Sequence, residues 1–222
     1  MSLTKYIKTR KNKKQIFYNI EVNEYHPLPD NISIKNVLTA VRNLLPSHLL
    51  NTVKTINIGK FAELKRRKIQ AYYDNKSIFM TNDQIDENDM IDDIIHEIAH
   101  AVEEKYYELI YSDSEIEKEF IQKRLQLRGL LKSRGFKILD LEKFTRSKYS
   151  EEFDSYLHSV LGYSALRILT ANIFYSPYAA TSLREYFANG FEAFYFKKHT
   201  DRIQKISPKL YIKLRRLIED ED

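Results

Sequence analysis

The stretch His96-Glu97-Ile98-Ala99-His100 decides how the rest of this sequence is interpreted. An α-helix turns by about 100° per residue, so two histidines four positions apart lie one above the other on the same helix face. There the two imidazoles can share one tetrahedral zinc ion, and Glu97 between them lies within reach of a zinc-activated water. The pattern therefore predicts a zinc site on a helix.

The residues around this pentapeptide have the spacing of an amphipathic helix. Apolar side chains recur at helical intervals and form a stripe that can pack on a core, namely Ile91, Ile94, Ile95, Ile98 and Val102. The stripe predicts that His96 and His100 point away from the core, toward a cleft. An ordinary helix with two surface histidines is the alternative interpretation, and the metal site is favoured over it.

The composition is that of a globular protein that can bury a sizeable core. The chain has 222 residues, of which 43% are hydrophobic and 30% are charged. It contains no cysteine, so disulfides are excluded and a zinc ion would have to be held by His, Asp or Glu. No apolar run reaches the length of a membrane span.

The composition of the N-terminal segment indicates where in the cell the protein is expected. It is basic and polar and lacks the apolar core of a signal peptide. A cytoplasmic location is therefore the default expectation, with a trimmed leader or secretion by another route as the alternative.

The net charge of +5 is concentrated at the two ends of the chain. Residues 1–14 carry six Lys or Arg and no acid, and residues 197–216 carry eight against the single acid Asp201. Such ends could contact a nucleic acid or an anionic surface. Solvated termini are the favoured explanation, and residues 1–14 are expected to form a basic flexible tail.

The first half of the chain predicts a small β-sheet in front of the His96 helix. Alternating apolar residues and turn chemistry predict a strand over Gln15–Val22, a helix over Ile34–Leu45, a strand from Val53 to Ile58 and a hairpin over 69–81 around Asp74-Asn75-Lys76. An edge strand beside a metal-binding helix can pair with an extended peptide substrate.

After Tyr111 the pattern is almost wholly helical. The expected helices run from a Ser114–Glu117 capping box to about Gly135, over Ser150–Leu161, over Ala165–Phe174, over 182–196 and onward from Pro208. The chain is therefore interpreted as a single α+β domain over 15–222 with a mainly helical C-terminal half.

A catalytic zinc needs a third protein ligand beside the two histidines. Residue types alone leave several candidates without supporting context, namely His26, His48, His158, His199, Glu115, Glu117 and Glu119. A lone histidine is more often an ordinary surface or core residue, and the three glutamates fit capping or solvated positions better. No His-x-x-Gly-x-x-His continuation follows His100.

Glu185 has more support, because it lies near the start of an aromatic-rich helix. Tyr178 precedes it by seven residues, and Phe187-Ala188 follows it closely. Other roles remain open. Ser182-x-x-Glu185 is itself a capping box, Glu192 can belong to a solvated helix face, and Tyr178 alone would be expected to pack.

These two segments together resemble the gluzincin metallopeptidases of the anthrax lethal factor type and the clostridial Pro-Pro endopeptidases. The resemblance covers about a quarter of the chain, namely the hairpin and helix before His100 and residues 177–196, and it implies a zincin-like fold. It also implies that His96, His100 and Glu185 bind Zn²⁺. Glu97 would be the general base, and Tyr178 would donate a hydrogen bond to the oxyanion.

Two features depart from that family pattern. About eighty residues separate His100 from Glu185, roughly twice the expected distance, which implies a helical insertion over about 112–174. In addition, Asn189 stands where the family's later segment has a second acidic residue.

The sequence therefore predicts a zinc-dependent metalloendopeptidase that acts on a protein or peptide substrate. Two alternatives come from other functional classes. One is a catalytically inactive metallopeptidase-like module that binds a partner, and the other is a basic protein that associates with nucleic acid through its ends.

Overall fold

A computed structural model describes residues 13–196 and 198–219, apart from the side chain of Tyr163. These residues combine helices with a mixed sheet, so the prediction of a fold with both helices and strands is confirmed. The chain forms two compact units, one ending at Lys105 and the other beginning at Tyr106. The flexible tail was predicted for residues 1–14, of which 1–12 lie outside the described residues, while Lys13 and Lys14 begin a strand.

The first unit consists of a sheet and the helices that cover it. Its strands are β1 (Lys13–Phe17), β2 (Ile20–Glu24), β3 (Thr55–Ile58), β4 (Ala71–Asp74) and β5 (Ser77–Met80). Its helices are α1 (Ile34–Leu44), α2 (Ser47–Leu50), α3 (Ala62–Arg67) and α4 (Glu87–Lys105). The predicted helix over Ile34–Leu45, the strand before Gly59 and the hairpin over 69–81 are confirmed.

The sheet has the strand order β1-β2-β3-β5-β4. The pairs β2/β3 and β3/β5 are parallel, whereas β1/β2 and β5/β4 are antiparallel. The inner strands are the most apolar, and Val22, Ile56 and Ile78 are fully buried, as is typical of parallel strands covered by helices. Helix α4 packs against β4 and β5, so the sheet supports the helix that carries His96.

The predicted single strand over Gln15–Val22 is wrong, because the chain reverses direction in its middle. Tyr18 and Asn19 have φ angles of 52° and 68°, as two-residue hairpin turns require. The Tyr18 hydroxyl hydrogen-bonds the Thr39 hydroxyl at 3.1 Å, and the Arg42 guanidinium lies 4.4 Å from the centre of the Tyr18 ring. These contacts to α1 stabilise a turn that contains no glycine.

The second unit contains helices joined by loops, and its described residues form no strand. Its helices are α5 (Tyr107–Tyr111), α6 (Glu115–Ser133), α7 (Leu141–Thr145), α8 (Glu151–Ser155), α9 (Tyr163–Thr170), α10 (Leu183–Tyr195), α11 (Thr200–Ile206) and α12 (Pro208–Glu219), with a π-helical turn at Tyr156–Leu161 and a 3₁₀ turn at Tyr178–Ala180. No helix in the described parts of the chain combines the length and apolar character needed to cross a membrane.

Two of the predicted helices differ in detail from those in the structure. The helix expected over Ser150–Leu161 is α8 followed by the π-helical turn, which stops at Gly162 with φ of 78°. The next helix was expected over Ala165–Phe174 but begins directly after Gly162 and ends at Thr170. The backbone leaves the helical region at this glycine because glycine tolerates positive φ.

The start of α6 also differs from the prediction. Ser114 has a φ of 58° and makes no side-chain capping hydrogen bond, so the predicted capping box with Glu117 is wrong. The Asp113 carboxylate instead accepts a hydrogen bond from the backbone N–H of Glu115 at 3.0 Å. Lys213 lies 2.7 Å from Asp113 and lowers the pKa of that carboxyl chiefly through this contact.

Glu119 in α6 is buried, which corrects its interpretation as a capping or solvated residue of its own helix. Its carboxylate accepts hydrogen bonds from the backbone N–H groups of Lys209 at 2.9 Å and Leu210 at 3.2 Å, and from the Tyr186 hydroxyl at 2.8 Å. It therefore satisfies the N-terminal N–H groups of a different helix, α12. Burial, followed by the nearby Glu119 charge, raises the pKa of Tyr186 well above its ordinary value.

Helices α10 and α12 approach each other closely at Gly190. A Cβ atom at this position would lie 2.3 Å from Cδ2 of Leu210, a side chain that is almost fully buried. Packing therefore favours glycine here, because any other residue would displace the Leu210 side chain. Leu210 fills the space that any other residue at position 190 would need.

Candidate metal centre

The two histidines of the pentapeptide lie on one face of α4, with ring centroids 5.0 Å apart. His100 is 6% exposed, Glu97 is 7% exposed and His96 is half-buried. The predicted apolar stripe is confirmed, since Ile94, Ile98 and its other members are all buried. Packing against the sheet thus holds the helical turn that presents these three polar side chains.

Glu103 is a member of this site that the sequence interpretation missed. Its Oε2 lies 3.6 Å from Nδ1 of His100, and both side chains are largely buried. A carboxylate beside one ring nitrogen orients a histidine and favours the other nitrogen as a metal ligand. Nε2 of His100 is therefore the nitrogen suited to coordination. The signal was present in the sequence, because residues three apart on a helix are neighbours.

Glu185 lies in the first turn of α10 and is half-buried. The Ser182 hydroxyl accepts a hydrogen bond from the backbone N–H of Glu185 at 3.1 Å, so the serine half of the predicted capping box is confirmed. Ser182 therefore caps the start of α10 through a hydrogen bond with the Glu185 backbone.

Tyr178 belongs to the 3₁₀ turn that precedes α10, and a serine–asparagine contact ties that turn to the helix. The Ser176 hydroxyl donates to Oδ1 of Asn189 at 2.5 Å and accepts from the N–H of Ala179 at 3.2 Å. Nδ2 of Asn189 donates to the carbonyl of Glu185 at 2.8 Å. Asn189 thus joins the Tyr178 turn to the first turn of α10. A carboxylate in its place could not donate to that carbonyl.

Helix α10 is buried along almost its whole length, which contradicts the solvated-face interpretation of Glu192. This glutamate is only 8% exposed, and its neighbours Phe191 and Ala193 are fully buried. A buried carboxylate is costly unless its surroundings compensate its charge. Glu192 is therefore a buried residue of α10 and does not belong to a solvated face.

Among the described residues, His96, His100 and Glu185 form a group whose candidate ligand atoms all lie within 4.8 Å of one another. Two imidazole nitrogens and one carboxylate oxygen are a donor set that suits a catalytic zinc ion and leaves one coordination position for water or substrate. The other histidines are outside this group. Nδ1 of His26 accepts from the Lys60 N–H at 3.2 Å, for example.

Comparisons of the chain with protein-family models, with curated proteins and with solved structures find no match. The function is therefore inferred from residue chemistry and geometry.

Proposed function

We propose that the chain is a zinc-dependent metalloendopeptidase of the gluzincin type with a zincin-like fold. The single observation that carries the proposal is the grouping of His96, His100 and Glu185, whose ligand atoms lie within 4.8 Å of one another. Glu97 lies beside this group in the chain and in the helix, as a general base for hydrolysis requires.

The donor set fits zinc rather than magnesium or calcium. Zinc takes imidazole and carboxylate ligands in a four-coordinate site, whereas magnesium and calcium prefer oxygen ligands alone. The chain has no cysteine that could complete a structural Cys site. When bound, zinc supplies Lewis acidity, which polarises a carbonyl group and acidifies water.

The remaining chemistry belongs to side chains of this protein. Glu97, almost fully buried, takes a proton from the attacking water and passes it to the amine that leaves. The Tyr178 hydroxyl donates a hydrogen bond to the oxyanion that develops on the scissile carbonyl. The Asn189 contact that ties the Tyr178 turn to α10 limits the movement of this donor.

The fold contributes a surface for an extended substrate. Strand β4 is at the end of the sheet order and packs against α4, which carries His96 and His100. A peptide that adds to a sheet edge is held by hydrogen bonds to its backbone, so the direction of the peptide is set independently of its side chains. Cleavage of an internal peptide bond follows from this mode of binding.

The test combines metal analysis with cleavage of a complex peptide mixture. We expect the purified protein to bind one zinc ion and to produce new peptide termini, detected by mass spectrometry. Glu97→Gln should keep the zinc and lose cleavage, whereas Glu185→Ala should lose most of its zinc affinity. Glu104→Gln is the matched control, since Glu104 is an exposed residue of the same helix, and it should retain both properties.

Three outcomes would contradict the proposal. They are failure to bind zinc at equimolar concentration, undiminished cleavage by Glu97→Gln, and absence of cleavage from the whole mixture by the zinc-loaded protein. The last result, with zinc bound, would favour the catalytically inactive binding module.

A further inference from the structure

A groove of about 1030 Å³ lies in the first unit, in a region that the proposed chemistry does not use. It is lined by the turn after β2, by α3 and by the residues that flank the β4–β5 hairpin. All of these elements belong to the same compact unit. The volume is sufficient for several side chains of a ligand.

The groove has an apolar floor. Leu28 and Ile69 line it and are half-buried, while Phe61 and Leu64 lie deeper and are almost fully buried. Phe61 packs edge-to-face on Phe79 with ring centroids 5.8 Å apart. This cluster continues the core of the unit to the surface, so the floor is firm and can accept an apolar side chain.

The rim of the groove carries uncompensated positive charge. Lys60, Lys65 and Lys68 line it, are exposed, and have no ion-pair partner among the described residues. The two arginines of the same segment are engaged elsewhere, since Arg66 pairs with a glutamate at 2.6 Å and Arg67 lies over an aromatic ring. Against three lysines, the lining contains one acid, Asp83.

Hydrogen bonds hold the walls of the groove in place. Nδ2 of Asn82 donates to the carbonyl of Pro27 at 2.8 Å and so connects two walls. The backbone N–H of Thr81 donates to the carbonyl of Gln70 at 2.8 Å, and that of Ile69 donates to Leu64 at 3.2 Å. A groove shaped before its ligand arrives loses little conformational entropy on binding.

We propose that this groove binds acidic peptide segments, with an apolar side chain on the floor and flanking carboxylates on Lys60, Lys65 and Lys68. Opposite charges across such an interface select the partner and accelerate association. The proposal concerns binding and is independent of whether the protein hydrolyses peptides.

The lining favours a peptide over a nucleic acid. Single-stranded nucleic acids are held by aromatic side chains and arginines on which bases stack. Phe61 is the aromatic residue of the lining and is only 3% exposed, and the neighbouring arginines do not line the groove. An apolar floor inside a ring of ammonium groups suits apolar and acidic side chains instead.

The test measures binding to the full chain by fluorescence anisotropy, in the Glu97→Gln background so that cleavage cannot consume the probe. The probe is a fluorescein-labelled peptide Glu-Asp-Leu-Glu-Phe-Asp-Glu. Its first control replaces every acid by the corresponding amide, and its second replaces Leu and Phe by Ser. A labelled eight-nucleotide oligouridylate tests nucleic-acid binding.

We expect the acidic peptide to bind about tenfold more tightly than either control peptide. Lys60→Glu with Lys65→Glu should weaken its binding about tenfold or more, because two attractions become repulsions. The matched variant Lys35→Glu with Lys54→Glu has the same change in net charge at exposed lysines outside the groove and should change the affinity by less than about twofold.

Each contrary result overturns the proposal. Equal weakening by the two double variants would mean a general charge effect. Equal binding of the acidic and amide peptides, or no detectable binding, would exclude an acid-selective groove. Tighter binding of oligouridylate that is lost in Lys60→Glu with Lys65→Glu would assign the groove to nucleic acid.

Discussion

At the scale of single residues, the histidines of α4 depend on neighbours that hold their rings. Glu103 lies 3.6 Å from Nδ1 of His100 and is shielded from solvent with it. Outer carboxylates of this kind orient the ring and raise its basicity as a ligand. Glu103 is therefore expected to contribute to metal affinity without touching the metal.

Glu103→Gln is expected to weaken zinc binding by about tenfold, because removal of such a carboxylate typically costs tenfold to a hundredfold in affinity. Competition with a zinc-sensitive dye measures the change. The neighbouring exposed Glu104→Gln serves as control. Equal zinc affinities of Glu103→Gln and the unmodified protein would contradict the role given to Glu103.

A second expectation at this scale concerns alkaline pH. Burial raises the pKa of Tyr186 well above the value of 10.0 of a free tyrosine. Above about pH 10 the unfolded chain loses a proton that the folded protein keeps, so stability falls with rising pH, by up to ~1.4 kcal/mol per pH unit. Below that pH both states keep the proton and this contribution is fully present.

Urea unfolding between pH 8 and pH 11 tests this expectation. Tyr186→Phe should be less stable at neutral pH, because it lacks the hydrogen bond to Glu119, yet it should lose less stability as the pH rises. The dependence of the free energy of unfolding on pH thus separates the effect of Tyr186 ionisation from the effect of the lost hydrogen bond to Glu119. Identical slopes for both proteins would show that Tyr186 does not carry the effect.

At the scale of elements, the predictable parts were those whose signal lies within a few neighbouring residues. The apolar stripe of α4 and the Asp74-Asn75-Lys76 turn were predicted correctly, because hydrophobic periodicity and turn-forming residues are local signals in the sequence. The hairpin at Tyr18-Asn19 was missed, since its left-handed turn has no glycine and is held by contacts to α1. The buried role of Glu119 depends on α12, about ninety residues away.

Glu119→Ala should destabilise the protein by about 3 kcal/mol, because two helix N–H groups and one hydroxyl lose their buried acceptor. Chemical denaturation followed by circular dichroism measures the difference. Glu117→Ala is the control, because Glu117 is exposed on the same helix, and it should change the free energy of unfolding by less than about 0.5 kcal/mol. Similar losses in both variants would contradict the capping of α12 by Glu119.

At the scale of the whole molecule, the candidate site shows how far a sequence can be interpreted. His96, Glu97 and His100 lie within one helical turn, so their spacing in the sequence was sufficient to predict them as site residues. Glu185 came from a family resemblance, because no local pattern links residues so distant in the chain. The link that Asn189 makes between the Tyr178 turn and α10 could be recognised only from the hydrogen bonds in the structure.

Zinc should stabilise the folded protein as a whole, since the unfolded chain does not assemble the ligand group. With free zinc a hundredfold above its dissociation constant, the expected gain is about 2.7 kcal/mol. Thermal unfolding with zinc and with a chelator should reveal the gain, and Glu185→Ala should lose most of it. Magnesium is the control ion, and equal stabilisation by magnesium would contradict a His-His-Glu site.

The close packing at Gly190 has a consequence for the orientation of α10. Rotation of this helix about its axis by one residue, about 100°, would turn the side chain of Asn189 or Phe191 toward Leu210, where even a Cβ atom would lie only 2.3 Å from Cδ2 of Leu210. This contact disfavours rotation of the helix about its axis, and so it also helps to set the direction of the Glu185 side chain, five residues before Gly190. A methyl group added at position 190 would therefore act as a distant steric perturbation of the carboxylate, without altering any atom of Glu185.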